Sequence, residues 1–103
     1  DIVASAYKVI TAELILDAVA KHYRIKISEL LGKKRTRNIA RPRQVAMSLT
    51  KDLTSLSLPA IGEAFGGRDH TTVMHGIKAV AKLRQEDPEV AQDYEKLLLL
   101  IQN

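Results

Sequence analysis

The sequence predicts an all-α fold, a small helical domain that carries a helix-turn-helix. Apolar residues recur at spacings of three and four along most of the chain, and no stretch alternates with period two for long enough to form a strand. Hydrophobic residues make up 46% of the 103 residues, and with one Phe and no Trp the core should be aliphatic. The pair Gly66-Gly67, followed by Asp69, separates two helical patterns, as a sharp turn between helices requires.

The first predicted helix runs through Ile10 to Tyr23 and is amphipathic, with apolar side chains on one face and Glu13, Asp17 and Lys21 outside. The apolar pattern continues upstream, so a leading helix is expected over residues 1–9. A single helical turn follows, which Ser28 should cap and Gly32 should end.

The segment 33–40 is basic, has no apolar period and is predicted to be a loop. Six of the 16 basic residues of the chain lie between Lys33 and Arg43, with no acidic residue among them. The net charge of +4 also favours a polyanionic partner. Pro42 suits the first turn of the next helix, which apolar residues continue through Leu56.

Three more helices complete the prediction, for a total of five to seven. Residues 58–65 form a short helix with Ser57 as its cap and Pro59 in its first turn. Gly62 is expected where this helix crosses its neighbour closely. The turn 66–68 leads to a helix that begins at about residue 69 with Asp69 as its cap. The sequence Asp-Pro-Glu at 87–89 begins the last helix.

Short hydrogen-bonding side chains are concentrated where the helix after the turn begins. Its open face should carry Arg68, His70, Thr71, Thr72 and His75. The N-terminal residues of a recognition helix contact base edges in the major groove, and arginine suits the narrow minor groove of A·T-rich DNA. The helix and the basic loop together indicate a double-stranded DNA-binding module. A Gly-Gly turn with an Asp cap is also an ordinary feature of two packed helices.

The same residues argue against catalysis and metal binding. His70 and His75, five residues apart on a helix, point about 140° away from each other, so they do not form a metal site. No nucleophile lies beside a base, and the glycines lack the Gly-Lys-Ser/Thr sequence of a phosphate-binding loop. We therefore predict no enzyme activity, no metal and no cofactor for this chain. The absence of cysteine fits a reducing compartment, and no signal-peptide pattern is present.

Three stretches resemble the C-terminal DNA-binding domain of the bacterial chromosomal replication initiator DnaA. They are the loop Lys-Lys-Arg-Thr-Arg, the segment Arg-Pro-Arg-Gln-Val-Ala-Met at 41–47 and the segment from Leu58 to His75, which contains Gly-Gly-Arg-Asp-His-Thr-Thr-Val. The resemblance extends from about Ile10 to the end. It implies a cytoplasmic, nucleoid-associated protein that binds origin DnaA boxes of the TTATNCACA type. The ATP-binding domain of that family is not in this sequence, so residues 1–9 would be a linker helix and 10–103 the DNA-binding domain.

The resemblance also implies which residues meet DNA. Arg35 would enter the minor groove, and the residues that meet bases in the major groove would be Leu58, Pro59, Asp69, His70 and Thr71. The phosphate contacts would be Lys33, Arg37, Arg43, Gln44, Lys51, Arg68, Thr72 and His75. The chemistry agrees in part, because a carboxylate can accept from cytosine N4 and a threonine methyl can pack on a thymine methyl.

Two other functions stay open at this point. A helix-turn-helix repressor would need a symmetric dimer, and the apolar last helix could supply the interface. The amphipathic segment from Lys8 to Arg24 could attach to a membrane surface, and the resemblance also implies some association with acidic phospholipids. Its polar face mixes acidic and basic residues, unlike a dedicated membrane helix. We expect the segment from Lys8 to Arg24 to pack in the core, with lipid contact secondary. The apolar residues of the last helix are equally explained as core, and we expect the domain to bind one box as a monomer.

Overall fold

The computed structural model describes residues 9–102, which contain six helices and no strand. The helices are α1 Ala12–Tyr23, α2 Ile27–Leu31, α3 Arg37–Leu53, α4 Leu58–Ala64, α5 His70–Glu86 and α6 Pro88–Gln102. The predicted all-α class is confirmed. None of these helices has the length and apolar character that crossing a membrane requires. Of the predicted linker helix over residues 1–9, only Val9 is among the described residues, and it precedes α1.

Helix α3 lies at the centre of the fold. Every side chain from Val45 to Thr50 is buried, because α1, α2, α4 and α5 all pack against this helix. Helix α1 contributes Ile15 and Val19 to the same core, and α6 packs on α1 and α5. The core is aliphatic as predicted, apart from Phe65 and Tyr94, which are the two largest fully buried side chains.

The apolar faces of the first and last helices are used in this packing. Ile15, Leu16, Val19 and Ala20 of α1 are buried, and Val90, Tyr94, Leu97 and Ile101 of α6 are buried with them. Both patterns are therefore explained as core. The side chains of His22 on α1 and Asp93 on α6 join the two helices at 3.2 Å.

The basic loop is shorter than predicted, because α3 begins at Arg37 and not at Pro42. The loop therefore spans residues 33–36, and this is the segment called the basic loop below. The carbonyl of Thr36 accepts from the N–H groups of Ile39 and Ala40 and opens the helix. Pro42 consequently lies inside α3, where it lacks the N–H of a helical bond. Burial of Ile39 and Pro42 in the packed fold offsets that loss.

The helix starts predicted at Ser57 and Asp87 are confirmed, and the cap predicted at Ser28 is wrong. Ser57 Oγ accepts from the N–H of Ala60 at 3.3 Å, and Asp87 Oδ1 accepts from the N–H of Glu89 at 3.0 Å. Helix α2, however, begins before Ser28, with Lys26 at its cap position. Its start is held by Glu29, whose Oε1 accepts from the N–H of Lys26 at 3.0 Å.

Candidate nucleic-acid interface

Helices α4 and α5 are joined by a tight turn that has the predicted backbone geometry. Gly66 and Gly67 have φ angles of 85° and 79°, in the left-handed region that favours glycine. The carbonyl of Gly62 accepts from the N–H groups of both Gly67 and Arg68, at 3.0 and 2.8 Å. These bonds cap the end of α4 and set the direction in which α5 begins.

The sequence predicts Gly62 at a close crossing of two helices, but in the structure Gly62 lies against this turn instead. A Cβ atom at Gly62 would overlap the carbonyl oxygen of Arg68. The close crossing is at Gly76 instead, where a Cβ would lie 3.3 Å from Met47 Sδ and from Gln44 Cγ of α3. The two glycines therefore allow close approach to two different neighbours.

The start of α5 presents polar side chains to solvent. Asp69 occupies the cap position, but its carboxylate makes no bond to a helix N–H and lies 3.0 Å from His70 Nδ1. Both side chains are more than half exposed. Val73, one turn farther along α5, is fully buried and fixes the helix to the core. Both side chains are therefore accessible to a partner, with one carboxylate oxygen of Asp69 in contact with Nδ1 of His70.

Arg68, in the turn before α5, is half-buried and binds backbone carbonyls. Its guanidinium donates to the carbonyls of Phe65 and Gly32, and to that of Leu31 at 3.4 Å. Phe65 ends α4, and Leu31 and Gly32 end α2, so one side chain bridges two helix ends. Burial lowers the pKa of this guanidinium.

Arg43, on α3, is buried, with 7% of its surface exposed. Its Nε donates to the carbonyl of Leu30 at 2.8 Å, Nη1 to that of Lys34 at 2.8 Å and Nη2 to that of Glu29 at 3.1 Å. Burial lowers the pKa of Arg43, and the nearby positive charge of Arg68 lowers it further. The phosphate contact expected of Arg43 stays a prediction, and in this structure the guanidinium is turned inward onto the backbone.

A basic cleft separates the basic loop from the turn. It has a volume of about 480 Å³ and no acidic residue among its lining, which consists of Leu31, Lys33, Arg35, Arg43, Gly66, Gly67, Arg68 and Thr72. Lys33 and Arg35 are exposed on the loop side, and Thr72 is exposed on the α5 side. Elements more than thirty residues apart in sequence thus form one positively charged groove.

Comparison with known proteins identifies this arrangement. Residues 12–80 match the family model described as "Bacterial dnaA protein helix-turn-helix". The chain belongs to this family. Over all 103 residues it is 82% identical to proteins named "Chromosomal replication initiator protein DnaA" from Neisseria meningitidis serogroup C and Neisseria gonorrhoeae, and 53% identical to that of Chromobacterium violaceum. It spans about a fifth of the length of these relatives, 20 to 22%.

Within this DnaA helix-turn-helix domain, the predicted contact residues fall into two sets. One set surrounds the basic cleft and the start of α5, and its members are Lys33, Arg35, Arg43, Arg68, Asp69, His70, Thr71 and Thr72. His75 is exposed one turn farther along α5. The other set lies outside the cleft lining, on α3 and α4: Arg37, Gln44, Lys51, Leu58 and Pro59.

The members of the second set differ in exposure. Arg37, Lys51 and Pro59 are exposed, whereas Gln44 and Leu58 are half-buried. The stem of Gln44 packs at the crossing of α3 and α5 beside Gly76, so only its amide end is available to a partner. Leu58 and Pro59 open α4, where Ser57 Oγ accepts from the N–H of Ala60.

The structure also groups two arginines that the sequence had not singled out as contacts. Arg24 and Arg41 line a second cleft, of about 390 Å³, together with Arg37. Arg41 belongs to the basic run and could have been chosen on composition alone. Arg24 lies far from that run, and its left-handed backbone, with φ 58°, gives no signal in the sequence. Among the described residues, no three His, Cys, Asp or Glu side chains are grouped as a metal site would need.

Proposed function

We propose that this chain binds double-stranded DNA sequence-specifically at DnaA boxes of the TTATNCACA type, and so positions the initiator at a replication origin. Helix α5 would enter the major groove, and the basic loop would enter the adjacent minor groove. The observation that carries the proposal is the basic cleft, which joins the arginine-bearing loop to the exposed start of α5. The relatives named above, called chromosomal replication initiator proteins, support the same function.

Each side of the cleft suits one groove. Asp69 and His70 stand exposed at the first turn of α5, where a recognition helix meets base edges. Asp69 would accept from cytosine N4, and His70 would donate to a base-edge acceptor. Arg35 stands exposed on the basic loop, where its guanidinium can follow the negative potential of a narrow A·T-rich minor groove.

Other exposed cationic side chains would bind the phosphate backbone. Lys33 borders the loop, and Lys51 and Arg37 are exposed on α3. Contacts of this kind give salt-dependent affinity without sequence information. Arg68 and Arg43 are not included among them, because their guanidinium groups are bound to backbone carbonyls.

We further propose that the domain acts as a monomer on one asymmetric box, in the cytoplasm and associated with the nucleoid. Val90, Tyr94, Leu97 and Ile101 of α6 lie in the core and give no support to a symmetric repressor dimer, while Leu99 and Leu100 of the same helix are exposed. We do not extend the proposal to acidic phospholipids, because the buried face of α1 packs on α3. Nor do we assign catalysis or a cofactor to this part of DnaA. Sedimentation of the complex at one protein per duplex would agree with the monomer.

The proposal is tested by fluorescence-anisotropy titration of a labelled TTATNCACA duplex and a scrambled duplex at two salt concentrations. We expect the box to bind about a thousandfold more tightly, as specific DNA-binding proteins do at the lower end of their range. The scrambled duplex should show the steeper relative loss of binding at high salt. Equal binding of the two duplexes would reduce the chain to a non-specific basic domain and remove the origin assignment.

A further inference from the structure

The two arginines that bind backbone carbonyls hold one continuous segment. Between residues 29 and 34, the carbonyls of Glu29, Leu30 and Lys34 accept from Arg43, and those of Leu31 and Gly32 accept from Arg68. Most of these carbonyls belong to the end of α2, where a helix has no internal partners for them and carries partial negative charge. Two side chains from α3 and from the turn thus cap α2 together.

This segment leads directly into Arg35. Lys34, the residue before it, is held through its carbonyl by Arg43. Thr36, the residue after it, is the cap of α3, and its carbonyl accepts two helix N–H groups at 2.9 and 2.7 Å. The backbone on both sides of Arg35 is therefore anchored, while the Arg35 side chain stays exposed.

The same anchoring reaches the recognition helix. Arg68 also donates to the carbonyl of Phe65, and its own N–H donates to the carbonyl of Gly62 at 2.8 Å. Gly66 lies so near the end of α2 that a Cβ there would come within 2.5 Å of the Leu31 carbonyl oxygen. The basic loop and the start of α5 are thus joined through backbone contacts across the cleft.

We propose that Arg43 and Arg68 are positioning residues for minor-groove reading: they fix the basic loop against the turn, so that Arg35 and α5 engage adjacent grooves in one register. The inference rests on the proposed function. It differs from a phosphate-contact role, because the planar guanidinium matters and not the positive charge alone. A lysine keeps the charge but cannot reach several carbonyls at once with a rigid fork of donors.

The test uses Arg43→Lys and Arg68→Lys, with Arg37→Lys as the contrast. Arg37 is an exposed arginine beside the loop, so its lysine variant reports what the same change does at an expected phosphate contact. Far-UV circular dichroism and thermal melting check that each variant is folded. Because Arg43 is buried and Arg68 is only half-buried, Arg68→Lys decides the matter if Arg43→Lys does not fold.

The readout separates the two grooves by base chemistry. At each position of the box, an I·C pair and a G·C pair differ only in the amino group in the minor groove, whereas A·T and I·C differ in the major groove. For the unaltered chain we expect a roughly tenfold preference for I·C over G·C at the minor-groove positions. In Arg43→Lys and Arg68→Lys, the affinities for the I·C and G·C duplexes should differ by no more than about twofold. At the major-groove positions, the ratio of the affinities for the A·T and I·C duplexes should stay as it is in the unaltered chain.

A second measurement needs no DNA. In the free chain, amide hydrogen exchange of Gly32, Ile39 and Ala40, whose N–H groups are bonded at the two ends of the basic loop, should be faster in Arg43→Lys and Arg68→Lys than in Arg37→Lys, with the exchange of the middle of α5 unchanged. If the variants lose affinity equally on every duplex and flatten the salt dependence, Arg43 and Arg68 are phosphate contacts and the inference is overturned. Unchanged groove ratios and unchanged loop exchange overturn it as well. If the unaltered chain does not prefer the box, the proposed function fails, and the exchange data alone then decide the loop-fixing role.

Discussion

The backbone of Arg68 lies directly on Gly62. The N–H of Arg68 donates to the Gly62 carbonyl at 2.8 Å, and the Arg68 carbonyl oxygen occupies the space that a Gly62 side chain would need. The turn between α4 and α5 can lie this close to α4 only because residue 62 has no Cβ. The angle between the two helices of the DnaA helix-turn-helix therefore depends on this contact.

Gly62→Ala should destabilise the fold by about 3 kcal/mol, the upper part of the range for overpacking, because the obstacle is backbone. Urea unfolding followed by circular dichroism measures the loss. Gly76→Ala is the matched control, since its Cβ would meet the movable ends of Met47 and Gln44 at 3.3 Å. Alanine also favours a helix interior, so that variant should stay within about 1 kcal/mol of the parent. Equal stability of the two variants would contradict the close approach at Gly62.

The two glycines of the turn should respond differently to alanine. Gly67→Ala should cost about 1–2 kcal/mol, the price of a left-handed backbone, because its Cβ would point into open space. Gly66→Ala should cost more, since its Cβ would also press on the Leu31 carbonyl oxygen. Gly67→Asn should be milder than Gly67→Ala, because asparagine tolerates this conformation. Thermal melting of the three variants gives the order, and a reversed order for Gly66 and Gly67 would count against the described turn.

Tyr94→Phe should destabilise the packing of α6 on α3 by about 2 kcal/mol. The Tyr94 hydroxyl lies 2.6 Å from Asp52 Oδ2 and 3.0 Å from Ser48 Oγ, and the phenylalanine variant would leave the buried Ser48 hydroxyl without that partner. Burial and the bond to Asp52 also raise the pKa of Tyr94. The double variant Tyr94→Phe, Ser48→Ala should recover part of the loss, since both partners are then removed. A double variant less stable than the sum of the single changes would disprove this account.

Acid should weaken the start of α2. The N–H of Lys26 holds the pKa of the Glu29 carboxyl below its ordinary value of 4.5, and Lys34 adds to the effect. A lowered folded-state pKa means that the stabilisation is complete above pH 4.5 and is lost as the pH falls through the lower folded value. Glu29→Gln should therefore be less stable than the parent at neutral pH, and the difference in stability should close as the pH falls below 4.5. Urea unfolding across this range measures it, and a constant gap would show that the charge is not involved.

Substitutions at the proposed interface should separate base reading from phosphate binding. Arg35→Ala and His70→Ala should each cost about 1–3 kcal/mol on the box and relax specificity. Lys51→Ala should weaken box and scrambled duplexes alike and reduce the salt slope by about 1. Anisotropy titrations at several salt concentrations provide both quantities.

The control for this series is Lys96→Ala, an exposed lysine of α6 outside the predicted contacts. It should leave the affinity for both duplexes and the salt slope as they are. Should Arg35→Ala and Lys51→Ala change the two duplexes in the same proportion, the division between base and phosphate contacts is incorrect.

Much of the helical framework could be predicted from sequence because its signals are local. Ser57 with Pro59, the Gly66-Gly67 pair and the Asp-Pro-Glu start of α6 each act within one helical turn. Hydrogen bonds and allowed φ angles at such sites depend on neighbours a few residues away. The exposed start of α5 could be predicted for the same reason. The resemblance to DnaA, which the family match confirms, rests on this same short segment together with the basic run.

Only the tertiary structure decided which arginines are exposed and which are turned inward onto backbone carbonyls. Arg35 and Arg43 belong to one basic run, yet the first is exposed and the second is buried. The position of the α2 end makes this difference, because the carbonyls of Glu29 and Leu30 accept from Arg43 there. The early start of α3 has a similar cause, since burial of Ile39 and Pro42 outweighs the local preference of proline. A guanidinium turns inward where it can donate to backbone carbonyls at a helix end, and those carbonyls come close to it only when the helices have packed.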